Sequence, residues 1–197
     1  FYTRLVQLAA LTKVLAHPEL YDHAQFANIS SVILLLQNEL DSHWLQDKKY
    51  MSVTLGRIEG AEAYKHTDLD SAVILGVLHS NLESERFSVR DDRILSTAAA
   101  LEAAFESVYE INRMQVLAAP AIGRYTDDVY FGGNPWYINT LAFAEMNFRL
   151  SHSLEQNASY VVTDLNYKFL SEALAAIDHD AGALVLGTHL VDQPQLL

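Results

Sequence analysis

The stretch GRYTDDVYFGGNPW, residues 123–136, places one arginine, two adjacent aspartates, four aromatics and three glycines between two long helical patterns. Its last part reads as a helix start. Asn134 is a good N-cap, Pro135 suits the first helical position, and Gly132-Gly133 permits a tight approach to that cap. The first part does not need a helix to explain it. Arg and Asp together hold vicinal hydroxyls through charge-assisted hydrogen bonds. Tyr and Trp offer flat apolar faces with a polar tip. A sugar ring needs both kinds of surface, so Arg124, Tyr125, Asp127, Asp128 and Tyr130 read as a carbohydrate subsite on a functional loop. In an extended segment Asp127 and Asp128 point to opposite sides, so only one of them faces a ligand.

Outward from the loop the chain is helical. Leu5, Leu8, Ala9, Leu11 and Leu15 predict a helix over about residues 3–16, stopped by His17-Pro18. Val32, Leu36, Leu40 and Trp44 mark a second, capped by Ser30 or Ser31 and ended by Asp47-Lys48-Lys49, with Trp44 in the core. Met51–Gly56 alternates briefly, as a short extended piece does. Thr67-Asp68-Leu69-Asp70 has the capping-box pattern before a third helix, and Ser88-Val89-Arg90-Asp91 repeats it before a fourth. A fifth runs from Asn134 to about Leu150, and Thr163 or Asp164 caps a sixth. No repeat and no linker rich in Gly, Pro or Ser divides residues 1–197, so a single domain is expected.

The 197 residues are 50% apolar and 19% charged, with a net charge of −12 and no cysteine. Such a chain is compact, and it carries no disulfide or thiolate metal site. The acidic balance without a basic block disfavours nucleic acid and anionic membrane surfaces as partners. No apolar run reaches the roughly 18 residues of a membrane span, and no signal peptide is visible. Phe1-Tyr2-Thr3 stands already inside a helical pattern and reads as a cut rather than a natural start. Asn28-Ile29-Ser30 and Asn157-Ala158-Ser159 are sequons.

Gly123-Arg124-Tyr125-x-Asp127-Asp128-Val129-Tyr130 followed by Gly133-Asn134-Pro135-Trp136 resembles the signature of fungal glucoamylases, glycoside hydrolase family 15. Phe1-Tyr2-Thr3, Leu69-Asp70-Ser71 with Leu75, Phe105 to Asn112, and Val162-Thr163-Asp164 resemble further segments of that family. The likeness covers most of the chain and is weakest over residues 46–66 and after 176. It implies an all-α fold, part of an (α/α)6 barrel with about six of its twelve helices. It implies exo-acting release of glucose from the non-reducing ends of α-1,4 glucans with inversion, no cofactor, and a secreted or vacuolar enzyme. Arg124, Asp128, Tyr130 and Trp136 match residues that bind the substrate, an α-glucan or maltooligosaccharide. The family's general acid lies in a Trp-Glu-Glu segment expected before Phe1. Its general base lies in a Ser-x-x-Glu segment expected after Leu197. The chain thus reads as a single incomplete catalytic domain, with one apolar flank left uncovered. Where the family usually has Pro-Glu, this chain has Thr126-Asp127, which removes a rigidifying proline.

Other candidates carry less. Asp68 and Asp70 read as capping groups rather than an acid–base pair, because Thr67 supplies the cap. Glu102, Glu106 and Glu110 read as a solvated helix face. Glu83 and Glu85 lie in a polar loop. Asp178-His179-Asp180 is the tightest metal-type cluster but lacks a second ligand pair, so no metal is expected. Two further readings stay open: a non-catalytic helical carbohydrate-binding or interaction module, and a small helical enzyme using its own acids, Asp128 with Asp70.

Overall fold

A computed structural model describes residues 1–56, 65–82, 86–114, 119–156, 159–177 and 184–187. Glu83, Glu85, Asp178-His179-Asp180 and the sequon residues Asn157 and Ala158 lie outside the described residues. Seven α-helices occur among the described residues: α1 (Tyr2–Leu15), α2 (His23–Asp41), α3 (Ala72–Ser80), α4 (Asp92–Glu106), α5 (Glu110–Arg113), α6 (Tyr137–Gln156) and α7 (Tyr167–Ile177). A two-stranded antiparallel hairpin, β1 (Trp44–Leu45) and β2 (Tyr50–Met51), follows α2.

Helix α3 is the centre of the packing. It is apolar on nearly every side, and α1 and α6 both pack on it. Such a helix is stable only when enclosed. Gly76 allows the close crossing with α1, since a Cβ there would stand 3.2 Å from Tyr2 Cα. Helix α1 also packs on α2, and α4 packs on α7 and β2. One core runs through these elements, from Leu5 and Leu40 to Ile94, Phe105, Met146 and Phe169.

Helix boundaries differ from expectation where another residue supplies the cap. Helix α2 starts seven residues before Ser30, because Asp22 and Gln25 form a reciprocal box. The Gln25 N–H donates to Asp22 Oδ1 at 2.8 Å, and the Asp22 N–H donates to Gln25 Oε1 at 2.8 Å. The Ser31 hydroxyl donates back to the Ala27 carbonyl instead. The helix ends at Asp41, and Asp47-Lys48-Lys49 form the hairpin turn, with Lys49 at φ 55°. Trp44 is therefore a half-buried strand residue packed against the core. Thr67 does not cap α3; its hydroxyl accepts from the Leu69 N–H, and Asp70 Oδ1 accepts from the Ala72 N–H at 2.7 Å. Asp91, not Ser88, caps α4. Thr163 does cap the run into α7, exchanging hydrogen bonds with Asn166. Asp92 joins α4 to that run, accepting from the Thr163 hydroxyl at 2.7 Å, the Tyr160 hydroxyl at 3.0 Å and Asn166 Nδ2 at 2.8 Å.

Glu102 departs from the solvated-face expectation. It is half-buried on α4, which packs on α7. Burial pushes its carboxyl up to about 7, helped by Glu172 and Glu106 and opposed by Lys168. The fold favours the protonated acid, so this contribution is complete below about 4.5 and is lost as pH rises through about 7. Glu102→Gln should remove that slope from urea unfolding midpoints measured across the window. An unchanged slope would show that Glu102 titrates as if in water.

Apolar side chains stand exposed on two helices, one packed on α1 and the other on α3. Leu34 and Leu35 on α2, and Tyr137, Ile138, Leu141 and Phe148 on α6, are exposed.

Candidate functional site

The loop from Gly123 to Trp136 is closed at its base. Asn112 Nδ2 donates to the Phe105 carbonyl at 2.9 Å and the Ala121 carbonyl at 3.0 Å, and the Ala121 N–H returns to Asn112 Oδ1 at 2.8 Å. The Ile122 N–H donates to the Thr140 hydroxyl at 3.0 Å, and the Trp136 N–H donates to the Ile122 carbonyl at 2.9 Å. The two ends thus meet over α6, as in a compact Ω-type loop. The Ser71 N–H, at the start of α3, donates to the Arg124 carbonyl at 2.9 Å.

Two glycines are steric requirements of this loop. Gly123 lies where Tyr109 passes, and a Cβ there would fall 1.9 Å from the Tyr109 hydroxyl. Gly133 is left-handed at φ 75°, and a Cβ there would fall 2.6 Å from the Asp128 carbonyl. Asn134 is not the helix cap. Its side chain donates to the Phe131 carbonyl at 2.6 Å, while the Asn139 and Thr140 N–H groups both donate to the Trp136 carbonyl. Helix α6 therefore begins after Trp136, and the indole stays at the loop's edge.

All four residues expected to touch sugar come together. Arg124 makes a two-pronged pair with Asp128, Nε to Oδ2 at 2.7 Å and Nη2 to Oδ1 at 2.5 Å. The Asp128 side chain is 2% exposed and that of Arg124 37%. The Tyr130 N–H adds a third bond to Asp128 Oδ1 at 3.0 Å. Hydrogen bonding from Arg124 holds the Asp128 carboxyl below its usual range against the opposing effect of burial. Asp128 in turn raises the Arg124 guanidinium further. The pair is ionised at any ordinary pH.

The guanidinium sits among three rings, its Cζ 4.9 Å from the Trp136 centroid, 5.3 Å from Tyr130 and 5.4 Å from Tyr125. Tyr130 and Trp136 stack with centroids 5.7 Å apart. Beside them Tyr130, Phe131, Asn134, Pro135, Trp136 and Tyr137 line a depression of about 250 Å³. Phe131 and Tyr137 stand 80% and 90% exposed on its rim. The arrangement presents a fixed cation edge beside aromatic faces, which suits polyhydroxylated rings.

The alternation expected of an extended segment does not apply, because the segment is a turn closed by the Asp128 N–H on the Tyr125 carbonyl. Asp127 Oδ2 accepts from the His66 N–H at 2.6 Å, which ties the turn where the family proline is missing. Asp70 is paired with Lys65, and the Lys65 ammonium lies 4.6 Å from the Tyr125 ring centroid. Sequence reasoning gave no site role to Lys65, Tyr109 or Asn112, the last two entering only within the family-like segment Phe105 to Asn112. They lie outside the loop, and no local spacing connects them to it.

The profile described as "Glycosyl hydrolases family 15" matches residues 1–190. The chain is similar to a glucoamylase of Blastobotrys adeninivorans, 32% identical over 93% of this chain and 31% of that protein. It is similar to glucoamylase 1 of Rhizopus oryzae, 26% identical over 77% of this chain and 26% of that protein. The family 15 glucoamylase structure from Hypocrea jecorina superposes with a TM-score of 0.74 at 26% identity, over 98% of this chain and 30% of that one. The Saccharomycopsis fibuligera glucoamylase structure superposes with a TM-score of 0.77 at 24% identity, over all of this chain and 43% of that one, a likeness of fold. The chain thus spans 31% and 26% of the length of these two curated relatives. Its helices form part of an (α/α)6 barrel, as the resemblance implied. With the family profile running over nearly its whole length, the chain belongs to glycosyl hydrolase family 15.

Proposed function

We propose that the Gly123–Trp136 loop is a glucose-binding subsite. The chain then forms part of a glucoamylase that removes terminal α-1,4-linked glucose from the non-reducing ends of starch- and glycogen-type glucans with inversion. The observation that carries this is the Arg124 guanidinium, fixed along one edge by Asp128 and flanked by three rings. Its remaining N–H groups are left for sugar hydroxyls, while Tyr130 and Trp136 cover the C–H face.

Inversion needs a general acid and a general base roughly 6.5–9.5 Å apart, with a water between. Asp128 is unsuited to either role, because it is spent on Arg124 and on the Tyr130 N–H. Asp70 is spent on Lys65 and on the α3 start. We therefore assign Arg124, Asp128, Tyr130 and Trp136 to substrate binding, and neither carboxylate role to this loop. Residues 1–197 are taken as one incomplete catalytic domain needing no cofactor, of a secreted or vacuolar enzyme.

Proton NMR of maltoheptaose mixed with this chain tests the assignment. The expected result is broadened sugar signals without glucose release. Release of β-glucose would place a working acid and base within residues 1–197. Unperturbed sugar signals would overturn the subsite and leave a helical interaction module.

A further inference from the structure

Helix α3 grips the loop at two points. The Ser71 N–H holds the Arg124 carbonyl at 2.9 Å. One residue earlier Asp70, 8% exposed, accepts from the Ala72 N–H at 2.7 Å and pairs with the Lys65 ammonium. That ammonium stands 4.6 Å from the Tyr125 ring centroid, and Arg124 Cζ stands 5.4 Å from the same centroid. Two cations and two buried carboxylates therefore share one neighbourhood. Asp128 holds Arg124, and Asp70 holds Lys65.

We propose that Lys65 is a positioning residue for the sugar site: by occupying Asp70 and bracing Tyr125, it keeps the Arg124 guanidinium on Asp128. The inference rests on the subsite reading above. Its physical basis is competition between two carboxylates for one arginine. Asp70 already acts electrostatically on Arg124. Without the Lys65 ammonium its charge is uncompensated in a mostly buried place, and an unpaired buried carboxylate draws the nearest cation. Among the described residues, the remaining cation on the Tyr125 ring is Arg124. Moving it costs the two-pronged pair and turns its free N–H groups away from a ligand. Loss of the ammonium also removes one cation–π contact from Tyr125.

The test uses the full chain carrying Trp44→Phe, so that Trp136 is the sole indole reporting maltoheptaose binding by fluorescence. Lys65→Met should weaken binding about three- to tenfold, the size of a lost partly desolvated cation–π contact. It should also shift the Arg124 Nε–H resonance without sugar present. Lys65→Arg should restore both. Lys65→Met with Asp70→Asn should restore them too, since it removes the competing charge and keeps an oxygen for the Ala72 N–H. A merely structural Lys65 would make that double variant worse than the single one. Parent affinity and an unmoved Arg124 resonance in Lys65→Met would overturn the inference. Parent affinity in Arg124→Met, or no quenching in the parent, would overturn the subsite reading instead, with the Arg124 resonance still deciding the role of Lys65.

Discussion

Arg124→Met should abolish maltooligosaccharide binding and also destabilise the fold by about 2–3 kcal/mol, the cost of leaving a buried carboxylate without its partner. The two effects have separate causes. Binding is lost because the cation edge that meets the hydroxyls is gone. Stability is lost because Asp128, 2% exposed at the side chain, keeps its charge with the Tyr130 N–H and the Trp136 indole as its remaining hydrogen-bond partners among the described residues. The figure sits at the low end for a buried pair because Arg124 itself is 37% exposed. Adding Asp128→Asn should recover most of the stability, since the amide needs no counter-ion and still accepts from Tyr130. It should recover none of the binding. Urea midpoints and titration calorimetry separate the two. A double variant that binds sugar like the parent would remove Arg124 from the site.

The glycine substitutions should have the next largest effect. Gly133→Ala meets two penalties, a left-handed residue with a Cβ and a contact of 2.6 Å with the Asp128 carbonyl. A left-handed L-residue costs about 1–2 kcal/mol and overpacking about 1–3 kcal/mol more. Because the obstructing atom is Asp128's own backbone, relief of the clash moves Asp128, and binding should fall with stability. Gly123→Ala meets the Tyr109 hydroxyl at 1.9 Å, with Phe105 and Tyr109 ring carbons at 3.0 Å. Tyr109→Phe removes the worst of these atoms, so the pair Gly123→Ala with Tyr109→Phe should melt above Gly123→Ala alone. If Tyr109→Phe makes no difference, the loop is not packed on Tyr109 as described.

The helices were legible because their apolar residues recur with the helical period. Leu5, Leu8 and Ala9 on α1, and Ile94, Leu95, Ala98, Leu101 and Phe105 on α4, are buried as that period predicts. Boundaries were less legible, because several polar residues near each start could cap it. Ser30 stood nearer its apolar stripe and Thr67 opened a capping-box spacing, but Asp22 with Gln25, and Asp70, have the geometry. The short α5 and the hairpin at Trp44 were hidden, since four-residue and two-residue elements hold no period. Glu102 shows the limit of pattern in the other direction. Its spacing with Glu106 marks a polar face, but α7 packs over part of that face. Within the site, the loop's chemistry could be read from Arg124, Asp128, Tyr130 and Trp136 because they are close in sequence. Lys65 and Tyr109 could not, because only the tertiary fold brings them to Tyr125 and Gly123.

The central claim is that a glucan binds at the Arg124 loop. The most direct measurement is a nitrogen-edited NMR titration of the chain with maltoheptaose, following the Trp136 and Trp44 indole N–H signals and the Arg124 Nε–H signal. The account predicts saturable shifts at Trp136 and Arg124 with Trp44 unmoved. Shifts at Trp44 alone, or none at any of the three while the sugar is bound, would contradict it.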